Sequence, residues 1–94
     1  MAETKPPKPT AEAGEAGVAA YVMCKVRMGY IQQVVHALRQ LEVATSIAVI
    51  TGEFDIIVRF DVPALESLYR LTVDKIGKIE GIERVTTLIV EKEL

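Results

Sequence analysis

IAVITGEFDIIVRF, residues 47–60, holds two runs rich in β-branched side chains with a short polar stretch between them. The runs, 47–50 and 56–60, read as strands, so Thr51, Gly52, Glu53, Phe54 and Asp55 must reverse the backbone between them. Gly52 can adopt the positive φ that such a turn asks for, and a backbone without a Cβ admits close approach of a ligand. Thr51, Glu53 and Asp55 place a hydroxyl and two carboxylates around it, more polarity than a minimal hairpin needs. Glycine and aspartate are also what ordinary turns select, so a plain acidic hairpin accounts for the same residues.

Outward from the turn, VATSIAVIT (43–51) is the full strand on the upstream side. Before it, Ile31, Val34, Val35, Leu38 and Leu41 recur at spacings of three and four, the period of one helix face. His36 and Arg39 fall off that stripe, so the single histidine reads as solvated surface and not as a catalytic group. Met28-Gly29-Tyr30 connects this helix to a first strand over 18–27, VAAYVMCKVR. There Val22, Cys24 and Val26 share one face, and Tyr21, Met23 and Lys25 the other. Downstream, the strand over 55–61 puts Ile56, Val58 and Phe60 on one face and Ile57 and Arg59 on the opposite one. Asp61-Val62-Pro63 is expected to end it and open a second helix, with Pro63 in the first turn and Asp61 at the positive end of the dipole. Leu65, Leu68, Thr72, Ile76 and Ile79 mark its core face; Gly77 weakens it late and Gly81 is expected to cap it. IERVTTLIVEK (82–92) closes the chain as a last strand.

The order β-α-β-β-α-β predicts an α+β, ferredoxin-like fold: a four-stranded antiparallel sheet with both helices on one face. The other face would carry Tyr21, Met23 and Ile57 or their alternates, too apolar for water. A second copy is therefore expected to cover it sheet to sheet, giving a dimeric sandwich.

Composition narrows the function. A chain of 94 residues, 50% hydrophobic and 26% charged, supports one small globular domain. A net charge of -2 offers no general attraction for nucleic acid or an anionic membrane, which argues against DNA binding by this chain alone. One cysteine allows neither an internal disulfide nor a cysteine-rich metal site, in keeping with a cytoplasmic setting, and Cys24 reads as a small buried hydrophobe. No apolar run approaches the roughly 20 residues of a membrane span. Residues 1–17 hold three of the four prolines and no large apolar side chain after Met1, so they are expected to form a disordered tail ahead of a folded unit over 18–94.

AYVMCKV in the first strand, VITGEFDIIVRF around the turn and KIEGIERVTTLIV at the end carry a resemblance. Over residues 20–92 the chain resembles the C-terminal ligand-sensing (RAM) domain of the leucine-responsive regulatory protein (Lrp/AsnC) family of transcription factors. Full-length members bear an N-terminal helix-turn-helix domain; the proline-containing tail in its place here reads as a stand-alone sensing module. The resemblance implies dimers joined through their sheets and assembled into rings, with small effectors, typically amino acids, held between neighbouring dimers and no cofactor. The effector turn falls on Thr51, Gly52, Glu53, Phe54 and Asp55. Backbone amides around Gly52 would meet an α-carboxylate, and Asp55 or Glu53 an α-ammonium. Tyr30 and Ile31, in the first strand-to-helix connection, and Thr87, on the last strand, are further candidates for side-chain selectivity. Besides the effector and further copies of itself, a full-length Lrp-type regulator is an implied partner.

Two other readings remain open. Dimeric ferredoxin-like folds also host cofactor-free enzymes, which need a polar base in an apolar cavity. Here a lone off-stripe histidine and 5% aromatic residues supply no base, nucleophile or oxyanion set, so an enzyme is not expected. The connection at 28–30 is too short for the anion loop of acylphosphatase chemistry, and a heavy-metal carrier would want a paired cysteine. The third reading is a purely structural assembly subunit. Asp55→Ala is expected to separate it from a sensor, by abolishing ligand binding while leaving fold and oligomer intact.

Overall fold

Side-chain alternation in the strands becomes alternation of burial. In the computed structural model, which describes residues 17–94, β1 (Val18–Val26) buries Ala20, Val22, Cys24 and Val26, while Tyr21, Met23 and Lys25 stay half-exposed. β3 (Ile56–Val62) does the same with Ile56, Val58, Phe60 and Val62 against Ile57, Arg59 and Asp61. The remaining elements are α1 (Ile31–Arg39), β2 (Ala44–Val49), α2 (Leu65–Arg70) and β4 (Ile82–Ile89). The strands form one antiparallel sheet in the order β2-β3-β1-β4, so the βαββαβ ferredoxin-like arrangement is the one expected. The tail expected over 1–17 lies, apart from Gly17, outside the described residues.

The core sits wholly on the helix side of the sheet. Val34 and Leu38 of α1 are fully buried against Val22, Cys24, Ile56, Val58 and Phe60, with Ile31, Val35 and Leu41 packed around them, as the stripe predicted. Each such side chain contributes about 1.5–3 kcal/mol by leaving water. Ala20, Val62 and Leu68 make a smaller cluster under α2. Among the described residues no polar or charged side chain is buried. No helix among them is long and apolar enough to cross a membrane.

The second helix departs from expectation. β3 runs on through Val62, because that side chain is in phase with Phe60 and packs on Ala20 and Leu68. Pro63 therefore lies in a bend outside the helix, and extended Ala64 (φ -153°) precedes Leu65. Asp61 is an exposed strand residue; it accepts a bond from Thr45 Oγ1 at 3.0 Å and pairs with Arg59 at 3.2 Å, so it does not serve the helix dipole. Nor is the helix continuous. After Arg70 it widens into a π turn, Leu71–Lys75, where the Ile76 amide is shared between the carbonyls of Leu71 and Thr72, and then tightens into a 3-10 turn, Ile76–Lys78. Beyond the widening Ile76 is back in the core; Val73, inside it, is 48% exposed, and Leu65, the first residue of the helix, is 57% exposed.

Gly81 does not cap this helix, whose last turn ends at Ile79. It turns the chain into β4 at φ +101°, its carbonyl accepts the Arg27 amide at 2.7 Å, and the Tyr30 side chain occupies the place a Cβ would take. β4 ends at Ile89, short of the expected 92, although the Val90 amide still donates to the Ala19 carbonyl at 2.8 Å.

Candidate functional site

With β2 ending at Val49 and β3 beginning at Ile56, the central turn is a wider loop than a tight hairpin. The Ile50 amide closes it on the Asp55 carbonyl at 2.8 Å, and the Asp55 amide joins it to β1 through the Cys24 carbonyl at 2.9 Å. Gly52 stands at φ +143° with open space where a Cβ would project. Thr51, Gly52 and Glu53 are exposed; Phe54 and Asp55 are half-buried. The loop thus presents bare backbone to solvent, as the sequence suggested.

Asp55 is engaged within its own chain. Its Oδ2 accepts the Val26 amide at 2.8 Å, at the point where the β1–β4 pairing slips between Lys25 and Val26. Lys25 Nζ is 3.6 Å from the same oxygen. A bulge disrupts the ladder locally, and this carboxylate satisfies the amide there. Asp55→Ala is therefore not the clean discriminator it was expected to be, since it removes a tie between the turn and β1.

The turn's other acid meets a second cation. Glu53 lies 3.8 Å from Arg84 of β4, whose guanidinium sits 5.2 Å from the centre of the Phe54 ring. Lys25 and Arg84 are direct cross-strand partners on the open face of the sheet. Two acids from the loop and two bases from neighbouring strands thus converge at one end of that face. Neither base was singled out from the sequence. Alternation was the available signal: it put Lys25 with Tyr21 and Met23, and the same count along 82–92 puts Arg84 in phase with Thr86 and Leu88.

The three further candidates fall differently. Tyr30 is the residue before α1; its amide donates to the Arg27 carbonyl at 3.0 Å, and Arg27 lies 5.1 Å over its ring. Its side chain packs against the helix-side core. Ile31 lies on the helix side, lining a shallow groove of about 260 Å³ with Val35, His36, Arg39 and Val49. Thr87 is opposite Val22, on the helix-facing side, and does not join the acids and bases of the loop.

Other chemistry is scarce. Burial pushes the Cys24 thiol up to about 11, away from the thiolate that a nucleophile needs. His36 is exposed on α1. No group of three metal-ligating side chains occurs among the described residues. On the open face, Arg59 donates to both carboxylate oxygens of Glu93 at 3.0 Å and to the Tyr21 hydroxyl at 3.1 Å, besides Asp61. Bonding to Arg59 holds the Glu93 carboxyl below its usual range.

Residues 19–94 match the family model of the Lrp/AsnC ligand binding domain. An uncharacterised HTH-type transcriptional regulator of Pyrococcus furiosus is 31% identical over 72 residues, which are 77% of this chain and 49% of that protein. The chain thus spans about half the length of this curated relative. Among solved structures, AsnC of E. coli superposes with a TM-score of 0.85 at 18% identity, over 99% of this chain and 62% of that one. A transcriptional regulator of Neisseria meningitidis, solved as its L-Met complex, superposes with a TM-score of 0.84 at 16% identity, with the same two coverages of 99% and 62%. At these identities the two structures attest the fold.

Proposed function

The chain belongs to the Lrp/AsnC ligand binding domain family, a regulatory domain of transcription regulators, and on that premise we propose that it is a non-enzymatic sensor of an amino acid or related small metabolite. The ligand sits at Thr51, Gly52, Glu53, Phe54 and Asp55, between copies of the chain, and its binding favours one state of assembly over another. The observation that carries this reading is the convergence of Glu53 and Asp55 with Lys25 and Arg84 beside the exposed Gly52 backbone. Any free amino acid brings one carboxylate and one ammonium, and both must be satisfied when it leaves water. The amino-acid class is further supported by the L-Met complex of the Neisseria regulator.

A single chain offers the ligand only one wall. Two shallow grooves among the described residues, of about 260 and 230 Å³, contain none of the loop residues. A neighbouring copy supplies the second wall, with Tyr30, Ile31 and Thr87 reserved for selectivity. The half-exposed Tyr21, Met23 and Ile57 face supplies the dimer contact, and dimers extend into a ring. In the cytoplasm the module acts on transcription indirectly, through co-assembly with a full-length Lrp-type regulator. An enzyme is disfavoured because the one thiol is buried and the one imidazole is exposed on α1 with no hydrogen-bonded side-chain partner among the described residues. The competing structural reading, an assembly subunit without effector, is favoured by one observation: Asp55 already holds the Val26 amide.

Light scattering with and without the twenty amino acids, followed by thermal unfolding with each one singly, separates the two. A ligand at a hundred times its Kd adds roughly 2.7 kcal/mol to the bound state, a readily visible rise in Tm. A rise or a change of mass with one or a few amino acids upholds the sensor. An oligomer indifferent to all of them leaves the structural reading in its place.

A further inference from the structure

Lys25 and Arg84 face each other across β1 and β4 on one side of the sheet. Like charges directly opposite one another destabilise a strand pair, and the loop answers them weakly. The Lys25–Asp55 contact is 3.6 Å and the Glu53–Arg84 contact 3.8 Å, the latter between side chains 78% and 58% exposed. An exposed pair of that kind contributes little and exchanges readily. Arg84 is nevertheless positioned, because the Phe54 ring lies against its guanidinium at 5.2 Å. A contact of the guanidinium with a ring face occupies none of its N–H groups, so the fork that matches a carboxylate stays available to a ligand.

We infer that Arg84, backed by Phe54 and reinforced by Lys25, is the carboxylate-recognising residue of the effector site. Binding exchanges one loose ion pair for two: the ligand carboxylate takes Arg84, and the Glu53 carboxylate that Arg84 leaves takes the ligand ammonium. The inference rests on the amino-acid reading of the loop and deepens it. It moves carboxylate recognition from the Gly52 amides to a side chain, and it relieves Asp55, held by Val26, of pairing with the ammonium. The ligand class that follows is the free zwitterion, in preference to amides, esters or decarboxylated amines.

The test titrates the intact protein with each of the twenty L-amino acids and with the corresponding L-amino acid amides, following the melting midpoint. Arg84→Ala and Arg84→Lys are titrated alongside the wild type. For whichever amino acid binds the wild type, the amide should bind about ten- to hundredfold more weakly. Arg84→Ala should lose a similar factor, and Arg84→Lys should recover part of it, keeping the charge without the fork. Arg84 is exposed, so its replacement should leave the fold intact. If the amide binds as well as the acid, or Arg84→Ala retains wild-type affinity, the inference falls while the sensor stands. If Arg84→Ala keeps its affinity but scatters as a smaller particle, Arg84 serves the contact between copies and the inference is again overturned. If no amino acid binds the wild type, the proposed function itself fails and takes the inference with it.

Discussion

Val26 donates its amide to Asp55 Oδ2 at 2.8 Å, across a slip in strand pairing and between residues 29 apart in sequence. Removing the acceptor leaves a half-buried N–H without a partner, which costs about 1–3 kcal/mol. Asp55→Ala should therefore lower stability by that amount in urea unfolding, whereas Asp55→Asn keeps an oxygen in place and should cost about 1 kcal/mol or less. An Asp55→Ala protein as stable as the wild type would remove the structural role assigned here. Asp55→Asn, being gentler on the fold, is the variant in which to measure ligand binding. Cys24 reports on the same strand from the buried side. Its thiol is pushed from an ordinary 9.0 up to about 11, so the folded chain favours the neutral form. A raised folded pKa gives a contribution that is complete below pH 9 and declines as pH rises toward 11, by up to about 1.4 kcal/mol per unit. Denaturant unfolding between pH 8 and 11 should show a loss of roughly 2 kcal/mol that Cys24→Ala lacks. Equal pH slopes in the two proteins would refute it.

Gly81 couples two elements. Its missing Cβ makes room for the Tyr30 side chain at the start of α1, with the would-be atom 2.7 Å from Tyr30 Cβ and Cδ2 and 2.8 Å from Cγ, and its φ is +101°. Tyr30 Cβ is fixed to the backbone and cannot swing away. Gly81→Ala should thus combine backbone strain with a steric clash and cost about 2–5 kcal/mol, while Gly52→Ala, strained but with open space around it, should cost about 1–3 kcal/mol. Comparing the two melting midpoints checks the ordering; a milder Gly81→Ala would contradict this packing. The sequence assigned Gly81 to a helix cap because a glycine after an apolar stripe is the usual cap signal, and nothing local reveals a tyrosine 51 residues upstream. Where one face decides, the local signal sufficed: β1, β3 and α1 turn to the core the face their periodicity named, with Val34 and Leu38 of the α1 stripe fully buried and Ile31, Val35 and Leu41 packed beside them. In α2 it failed at two points: Leu65, the first helical residue, stays exposed, and a π turn after Arg70 breaks the regular period before Ile76 is buried. The loop at 51–55 was legible from its own composition. Lys25 and Arg84 were not, since what brings them to the loop is strand register, a property of pairs of strands that no single stretch encodes.

At the scale of the molecule the asymmetry of the sheet has a consequence for assembly. Every fully buried side chain of β1 and β3 faces the helices, and the opposite face holds Tyr21, Met23, Ile57 and the 50%-exposed Leu88 with no element among the described residues over them. Covering that face with a second copy would ordinarily raise a difficulty at Arg59, a charge near the middle of the contact. The chain has already met it. Arg59 is bonded to Glu93, Asp61 and Tyr21 of its own chain, so a partner need not bring an acid to it. The contact is therefore expected to rest on apolar burial and to persist at high salt, where exposed ion pairs are screened. Light scattering should give at least twice the mass of one chain, both in dilute buffer and at high salt. Ile57→Glu, opposite Met23 on that face, should bring the mass down to a single chain while circular dichroism stays native, because Ile57 contributes nothing to the helix-side core. A wild-type protein that scatters as one chain would remove the sheet-to-sheet contact. An oligomer that dissolves in salt would instead place the contact on charged surfaces, and the Lys25–Arg84 end of the face would be the first place to look.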